Sequence, residues 1–215
     1  MGGYSNSEQT REALIDAAGE LAAEFGFANV STRAIAEKAN QNIGSIHYHF
    51  GGKDKLFEEV MRSALQRYRD NPISKILDNF AGRLDEPSVQ SEAIRQIVHR
   101  SIICAFGLKE RWWNERVLYQ AVHSKNPLRD LLRRELIDPD IKDMMRLLKH
   151  IKPDISEEDA LLHIKILEGP VILHAQHFEE SLSESRRSYT EEYLKKLEDV
   201  LVRSFQLYWG LPLDK

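Results

Sequence analysis

The chain has 215 residues, 42% of them hydrophobic and 30% charged, a balance that fits a globular protein of one large domain, or a small one joined to a larger one, and excludes a disordered or fibrous chain. A formal net charge of −4 excludes a protein that grips nucleic acid by bulk positive charge. The sequence has no apolar run of about 18 residues to span a membrane, no basic-then-apolar leader in its first residues, and a single cysteine, Cys104, which cannot form an internal disulfide, so the cytoplasm is the expected compartment.

Taken in order, the chain reads as all-α, with about nine helices and almost no strand signal. The first helix is expected over Ser7 to Phe25, with Leu14, Ala17, Ala18, Leu21, Ala22 and Phe25 at helical spacing. Gly26 is its expected stop, since glycine enters the left-handed region without a Cβ clash. Ser31 or Thr32 can cap a second helix, Thr32 to Ala39, through its hydroxyl. Asn40 marks a turn, being tolerant of positive φ. A third short helix, Ile43 to His49, should bury Ile46 and Phe50. Its other side then carries Asn42, Ser45, His47, Tyr48 and His49. Gly51 and Gly52 turn the chain into a fourth helix ending near Arg69, with the apolar stripe Leu56, Phe57, Val60, Met61, Ala64 and Leu65.

The stretch from Ile73 to Pro87 is ambiguous. Beyond it come longer amphipathic helices: about Ser88 to Phe106, Lys109 to His123, Pro127 to His150 with a break or kink at Asp138-Pro139, then Leu161 to Phe178 after a capping-box-like Ser156 to Asp159, and Thr190 to Tyr208. In the last of these Leu194, Leu197, Val200, Leu201 and Phe205 should face inward.

The second and third helices form a helix-turn-helix unit. A recognition helix must lie in a major groove, held by a helix across its N-terminus. Ala36, Ala39 and Gly44 are small enough for a close crossing. The exposed face offers short donors and acceptors: Gln41, Asn42, Ser45, His47, Tyr48 and His49. The first 70 residues hold eight lysines and arginines against ten carboxylates, so any phosphate neutralisation must come from a few placed groups.

Three segments, T-R-A-I-A-E-K-A, G-S-I-H-Y-H-F and G-K-D-K-L-F, with a G-F-A-N-V-S-T lead-in, resemble the N-terminal domain of the TetR family of bacterial transcriptional regulators across about residues 8 to 68. The resemblance implies an all-α homodimer, each subunit with a three-helix DNA-binding head (residues 1–52, the family domain reaching to about 68) and a larger effector-binding and dimerising body (53–215). Thr32 and Arg33 match the family positions that open the second helix toward DNA. Gln41, Asn42, Gly44, Ser45 and His47 fall where the family reads bases and phosphates. Tyr48 and His49 match its phosphate-contacting pair, and Lys53 its phosphate-binding lysine. Asn40, Gln41 and His47 depart from the family's usual residues at their positions.

The body is less specific, although its proline and glycine breaks resemble the CecR-type subgroup. Cys104, Phe106, Trp112, Trp113, Tyr119, His123 and His174 are candidates to line a cavity for an apolar or aromatic effector, with plain core packing as the competing reading for each. His163, His174 and His177 share one helical face, but their spacing gives no third ligand for one ion, so no metal or cofactor is expected. The last two long helices should pair across a two-fold axis. The expected function is a regulator, most simply a repressor, released from palindromic double-stranded DNA by a small-molecule effector. A helical protein-binding adaptor is the main alternative. An enzyme using the histidines is weaker, because no nucleophile elbow, phosphate loop, HExxH or CxxC pattern is present.

Overall fold

A computed structural model describes residues 2–106, 111–124, 127–175 and 189–213, with side chains from residue 7 onward. Among these residues it is all helix. The segments are α1 (Gly2–Phe25), a 3-10 turn (Phe27–Asn29), α2 (Thr32–Lys38), α3 (Ile43–Phe50), α4 (Lys53–Asp70), α5 (Ile73–Asp78), α6 (Pro87–Phe106), α7 (Asn114–His123), α8 (Pro127–Leu132), α9 (Asp138–Ile151), α10 (Glu157–Ala175) and α11 (Glu191–Trp209). The nine expected helices are present, and α5 adds a short helix in the ambiguous stretch.

The chain forms two compact units. One comprises Met1–Arg67 and Lys109–Leu136, the other Tyr68–Leu108 and Ile137–Lys215. In the first, α1 is the centre: α2 and α3 pack on it, and so does α7. Leu14, Ile15, Ala18 and Ala22 of α1 are buried with Ile35, Ile46 and the whole predicted stripe of α4. Phe27 meets Phe57 edge-on at 5.1 Å. Gly26 ends α1 at φ 78°, as its position foretold, but Phe25 lies outside the core, 57% exposed.

In the second unit α6 is central, with α5, α9, α10 and α11 around it. Its core holds Ile94, Ile97, Val98 and Ile102 of α6 with Leu147 and Leu148 of α9, Ile164 and Leu167 of α10, and Val202 and Phe205 of α11. Ser156 caps the head of α10: Asp159 N–H donates to Ser156 Oγ at 3.0 Å, and that hydroxyl donates to the Asp159 carboxylate at 2.7 Å. The expected break or kink at Asp138-Pro139 appears as an interruption of the helix that ends at Ile137. A π turn, Arg133–Ile137, joins α8 to α9 and places Pro139 in the first turn of α9, where a missing N–H costs little. Val200 does not face inward; it is 61% exposed.

A polar group crosses the interior of this unit. Arg100, 4% exposed, makes a two-pronged pair with Asp140 at 2.6 and 3.2 Å and donates to the Asn71 carbonyl at 2.8 Å. Glu168 of α10 accepts from Ser101 at 3.1 Å. Burial raises the Glu168 pKa to about 7, opposed by the Ser101 hydrogen bond and the Arg100 charge. Desolvation likewise raises Asp140, again against Arg100. No described helix is long and apolar enough to cross a membrane.

Candidate nucleic-acid interface

The helix-turn-helix is held by backbone geometry that its residue types supply. Ser31 caps α2 by accepting from Ala34 N–H at 3.1 Å. After α2 the chain turns at Asn40, φ 52°, the one non-glycine residue at positive φ among those described. Gln41 N–H then donates to the Ala36 carbonyl at 2.9 Å, and Asn42 caps α3 by accepting from Gly44 N–H at 2.8 Å. Gly51, φ 78°, closes α3. Replacing Asn40 by alanine should therefore lower stability by about 1 kcal/mol, because alanine pays the left-handed penalty. Asn40→Gly should be near neutral. Asn42→Ala should cost a similar amount through the lost cap. Urea midpoints of the three variants check both statements.

α3 divides as its sequence implies. Ile46 is buried, and Phe50 lies half-buried under the Arg11 guanidinium, 5.5 Å from its ring centre. The other face is open: His47 is exposed and Tyr48 is 82% exposed. His49 is half-buried, its ring edge-on to Tyr48 at 5.0 Å. Ser45, Gln41 and Thr32 are half-buried at the rim of this face. Asn42 is exposed, but its side-chain oxygen is occupied by the cap.

Gly44 is exposed and not part of the α2–α3 crossing, contrary to expectation. An added Cβ there would meet only Asn42 Oδ1, at 3.3 Å. Its smallness leaves the outer surface of α3 open to close approach from outside. Ile43 was missed by sequence reasoning. It sits three before Ile46, which reads as core spacing, yet it is 54% exposed. An apolar group at that position suits a thymine methyl.

The cations are sparing. Arg33 is exposed but paired with Glu37 at 2.9 Å, Lys38 pairs with Glu20 at 2.7 Å, and Lys55 with Glu58 at 2.8 Å. Lys53, half-buried at the start of α4, donates to the Val30 carbonyl at 3.1 Å. That bond fixes the Gly51–Gly52 turn against the loop before α2 and keeps the ammonium beside the positive end of α4.

The candidate effector residues fall into both units. In the first, Trp113 is fully buried, Trp112 is exposed with the Arg116 guanidinium 5.5 Å from its ring, and Tyr119 and His123 have ring centres 4.2 Å apart. Helix α7 begins after both tryptophans, later than expected. In the second, Cys104 is buried. Phe106 and His174 both touch Tyr189, at 5.6 and 5.4 Å between ring centres, and His174 Nε2 lies 3.0 Å from the Tyr193 hydroxyl. A separate open groove of about 680 Å³ runs along α9, with Ile141 and Met145 between Lys142, Arg146 and Lys149. None of the seven candidates lines it. His163 packs at a tilt against Tyr208 and Trp209, with ring centres 4.7 Å apart in each pair, and His177 lies outside the described residues. No group of three His, Cys, Asp or Glu among the described residues is placed to hold a metal ion.

Residues 14–60 match the family described as "Bacterial regulatory proteins, tetR family". Residues 14–60 are therefore similar to the N-terminal domain of that family. The "Probable HTH-type transcriptional regulator YttP" of Bacillus subtilis (strain 168) is 27% identical over 128 residues, 60% of this chain and 56% of that protein. The chain thus spans little more than half the length of that relative. The "HTH-type transcriptional dual regulator CecR" of Shigella flexneri is 46% identical over 50 residues, 23% of this chain and 22% of that one. Among solved structures, HlyIIR, a hemolysin II transcriptional regulator, aligns over 92% of this chain and 97% of its own with a TM-score of 0.63 at 16% identity, which shows a shared fold over that span.

Proposed function

We propose that this chain is a homodimeric DNA-binding transcriptional regulator of the TetR family, a repressor released from a palindromic operator by a small-molecule effector. The observation that carries the reading is the split of α3. Its apolar residues Ile46 and Phe50 are taken up by α1 and its surroundings, while His47 and Tyr48 are offered outward between a capped N-terminus and Lys53. Residues 1–52 act as the reading head and 53–215 as the body. Tyr48, His49 and Lys53 hold phosphate. Thr32, Arg33, Gln41, Gly44, Ser45 and His47 face the groove, and Ile43 joins them. Because Arg33, Lys38 and Lys55 are already in ion pairs, binding releases few counterions and its salt slope is shallow.

Dimerisation is supported by two apolar stripes. On α10, Leu162, Ile166 and Leu173 are each more than half exposed; on α11, so are Val200 and Leu207, seven residues apart, with Tyr193 a further seven before. That spacing is the seam of a helix bundle. A two-fold pair presents two copies of α3, so the operator is a palindrome. The effector belongs to the body, where Phe106 and His174 converge on Tyr189. It acts by favouring a dimer whose heads fit the operator poorly.

Gel shifts with substituted proteins test the reading. Tyr48→Phe should weaken binding to every operator variant by about tenfold, the loss of one or two phosphate contacts. His47→Ala should instead change which base is preferred at one position of each half-site. Equal weakening of all sites by His47→Ala would remove that residue from base reading.

A further inference from the structure

The docking of residues 111–123 on α1 accounts for several costly features of the first unit at once. Gly19 stands in the middle of the long helix α1, where glycine is a poor helix former. The reason is steric. A Cβ at Gly19 would lie 2.5 Å from two ring carbons of Trp113 and 2.7 Å from a third. Trp113 is 1% exposed and among the largest fully buried side chains of the chain. Beside it, Arg111 reaches Glu12 and pairs with Asp16 at 2.7 Å, hydrogen-bonds Ser63 of α4, and places its guanidinium 5.5 Å from the Trp113 ring. Glu12, Asp16 and Gly19 recur at helical spacing, so one stripe of α1 is given over to this segment.

A neighbouring stripe of α1 faces α4 and the end of α3. Arg11 pairs with Glu59 of α4 and lies over Phe50, the last residue of α3. Phe50 and Trp113 are thus seated on the same helix, and a shift or roll of α1 moves the end of α3. In sequence, the segment carrying Trp113 is bounded on both sides by residues of the second unit.

We propose that Trp113, with Arg111, is a positioning residue for the recognition helix. The Trp113–Gly19 contact sets where α1 lies, and α1 sets how α3 is presented. The inference rests on the DNA-binding reading of α3 and names a control point for it outside the helix-turn-helix.

Three full-length variants test it: Gly19→Ala, Trp113→Leu, and the two combined. The readouts are operator affinity per folded protein and amide hydrogen exchange along α3. Gly19→Ala should weaken binding about tenfold or more and speed exchange in α3, since overpacking a buried contact forces the backbone to move. Trp113→Leu should weaken binding several-fold. The combined variant should bind better than Gly19→Ala alone, because the added methyl occupies space the indole has left, a coupling expected only of groups in contact. Additive losses in the combined variant, or unchanged α3 exchange in Gly19→Ala, would overturn the inference. Should Gly19→Ala fail to fold, recovery of a folded, binding protein by adding Trp113→Leu supports it, and failure of the combined variant to fold contradicts it. Should the unsubstituted chain bind no operator, the DNA-binding reading fails by itself, and the exchange comparison still decides whether Trp113 governs α3.

Discussion

Ile166→Asp should give a folded monomer that has lost measurable operator binding. Ile166 is 58% exposed in the single chain, so the substitution removes no contact from the core and should change monomer stability by no more than about 0.5 kcal/mol. In a dimer formed through α10 and α11 the same side chain lies in the seam, and the two-fold axis brings two new carboxylates into one desolvated patch. Burying unpaired charge costs several kcal/mol per group on an order-of-magnitude basis, more than the net stability of most such interfaces leaves to spare. Light scattering should therefore report half the mass of the unsubstituted protein, with an unchanged circular dichroism spectrum. A monomer reads one half-site only, so the affinity should fall by roughly two orders of magnitude or more, the gain normally supplied by linking two sites. A dimer of unchanged mass would assign the stripe on α10 to some other partner.

The second large effect is on stability and follows from Glu168. Its carboxyl, buried beside Ser101 with the already engaged Arg100 nearby, has its pKa raised from 4.5 to about 7. A carboxyl with a raised native pKa binds more protons in the folded chain than in the unfolded one between those two values. Its contribution to stability is thus fully present below about pH 4.5 and is lost as pH rises through about 7, amounting to about 3 kcal/mol at most. The residue as a whole is only half-buried, which makes that figure an upper bound. Glu168→Gln keeps the shape and an oxygen to accept from Ser101 while removing the titration. The variant should match the unsubstituted protein near pH 4.5 and exceed it in stability at pH 8, as read from urea midpoints at both values. A variant less stable at pH 8 would show that ionised Glu168 is held by Arg100, whose pairing with Asp140 would then be the weaker claim on the guanidinium.

Much of the head was legible because its constraints are local. Gly26, Asn40 and Ile46 declare themselves within a few residues of where they act, and the α4 stripe from Leu56 to Leu65 is buried throughout. The family resemblance sharpened the same residues. What could not be read was packing between distant parts of the chain. Trp113 lies almost a hundred positions from Gly19, and nothing in the periodicity around either residue points to the other. In the structure Trp113 is buried against Gly19, inside the first unit. Ile43 and Val200 show the opposite difficulty. Each sits at core spacing, yet each faces outward, because spacing alone does not separate a core face from a second, exposed apolar face. The interruption near Asp138-Pro139 was legible from the proline, but not its form, a π turn that ends at Ile137.

Repeated selection of bound duplexes from a random-sequence library, using the full-length chain, tests the central claim most directly. A two-fold pair of α3 helices predicts enrichment of a single palindrome whose half-sites lie about one helical turn apart or a multiple of it, with affinity that depends only weakly on salt. A library that remains random after selection, or that yields an unpaired site bound by the monomer, would contradict the account.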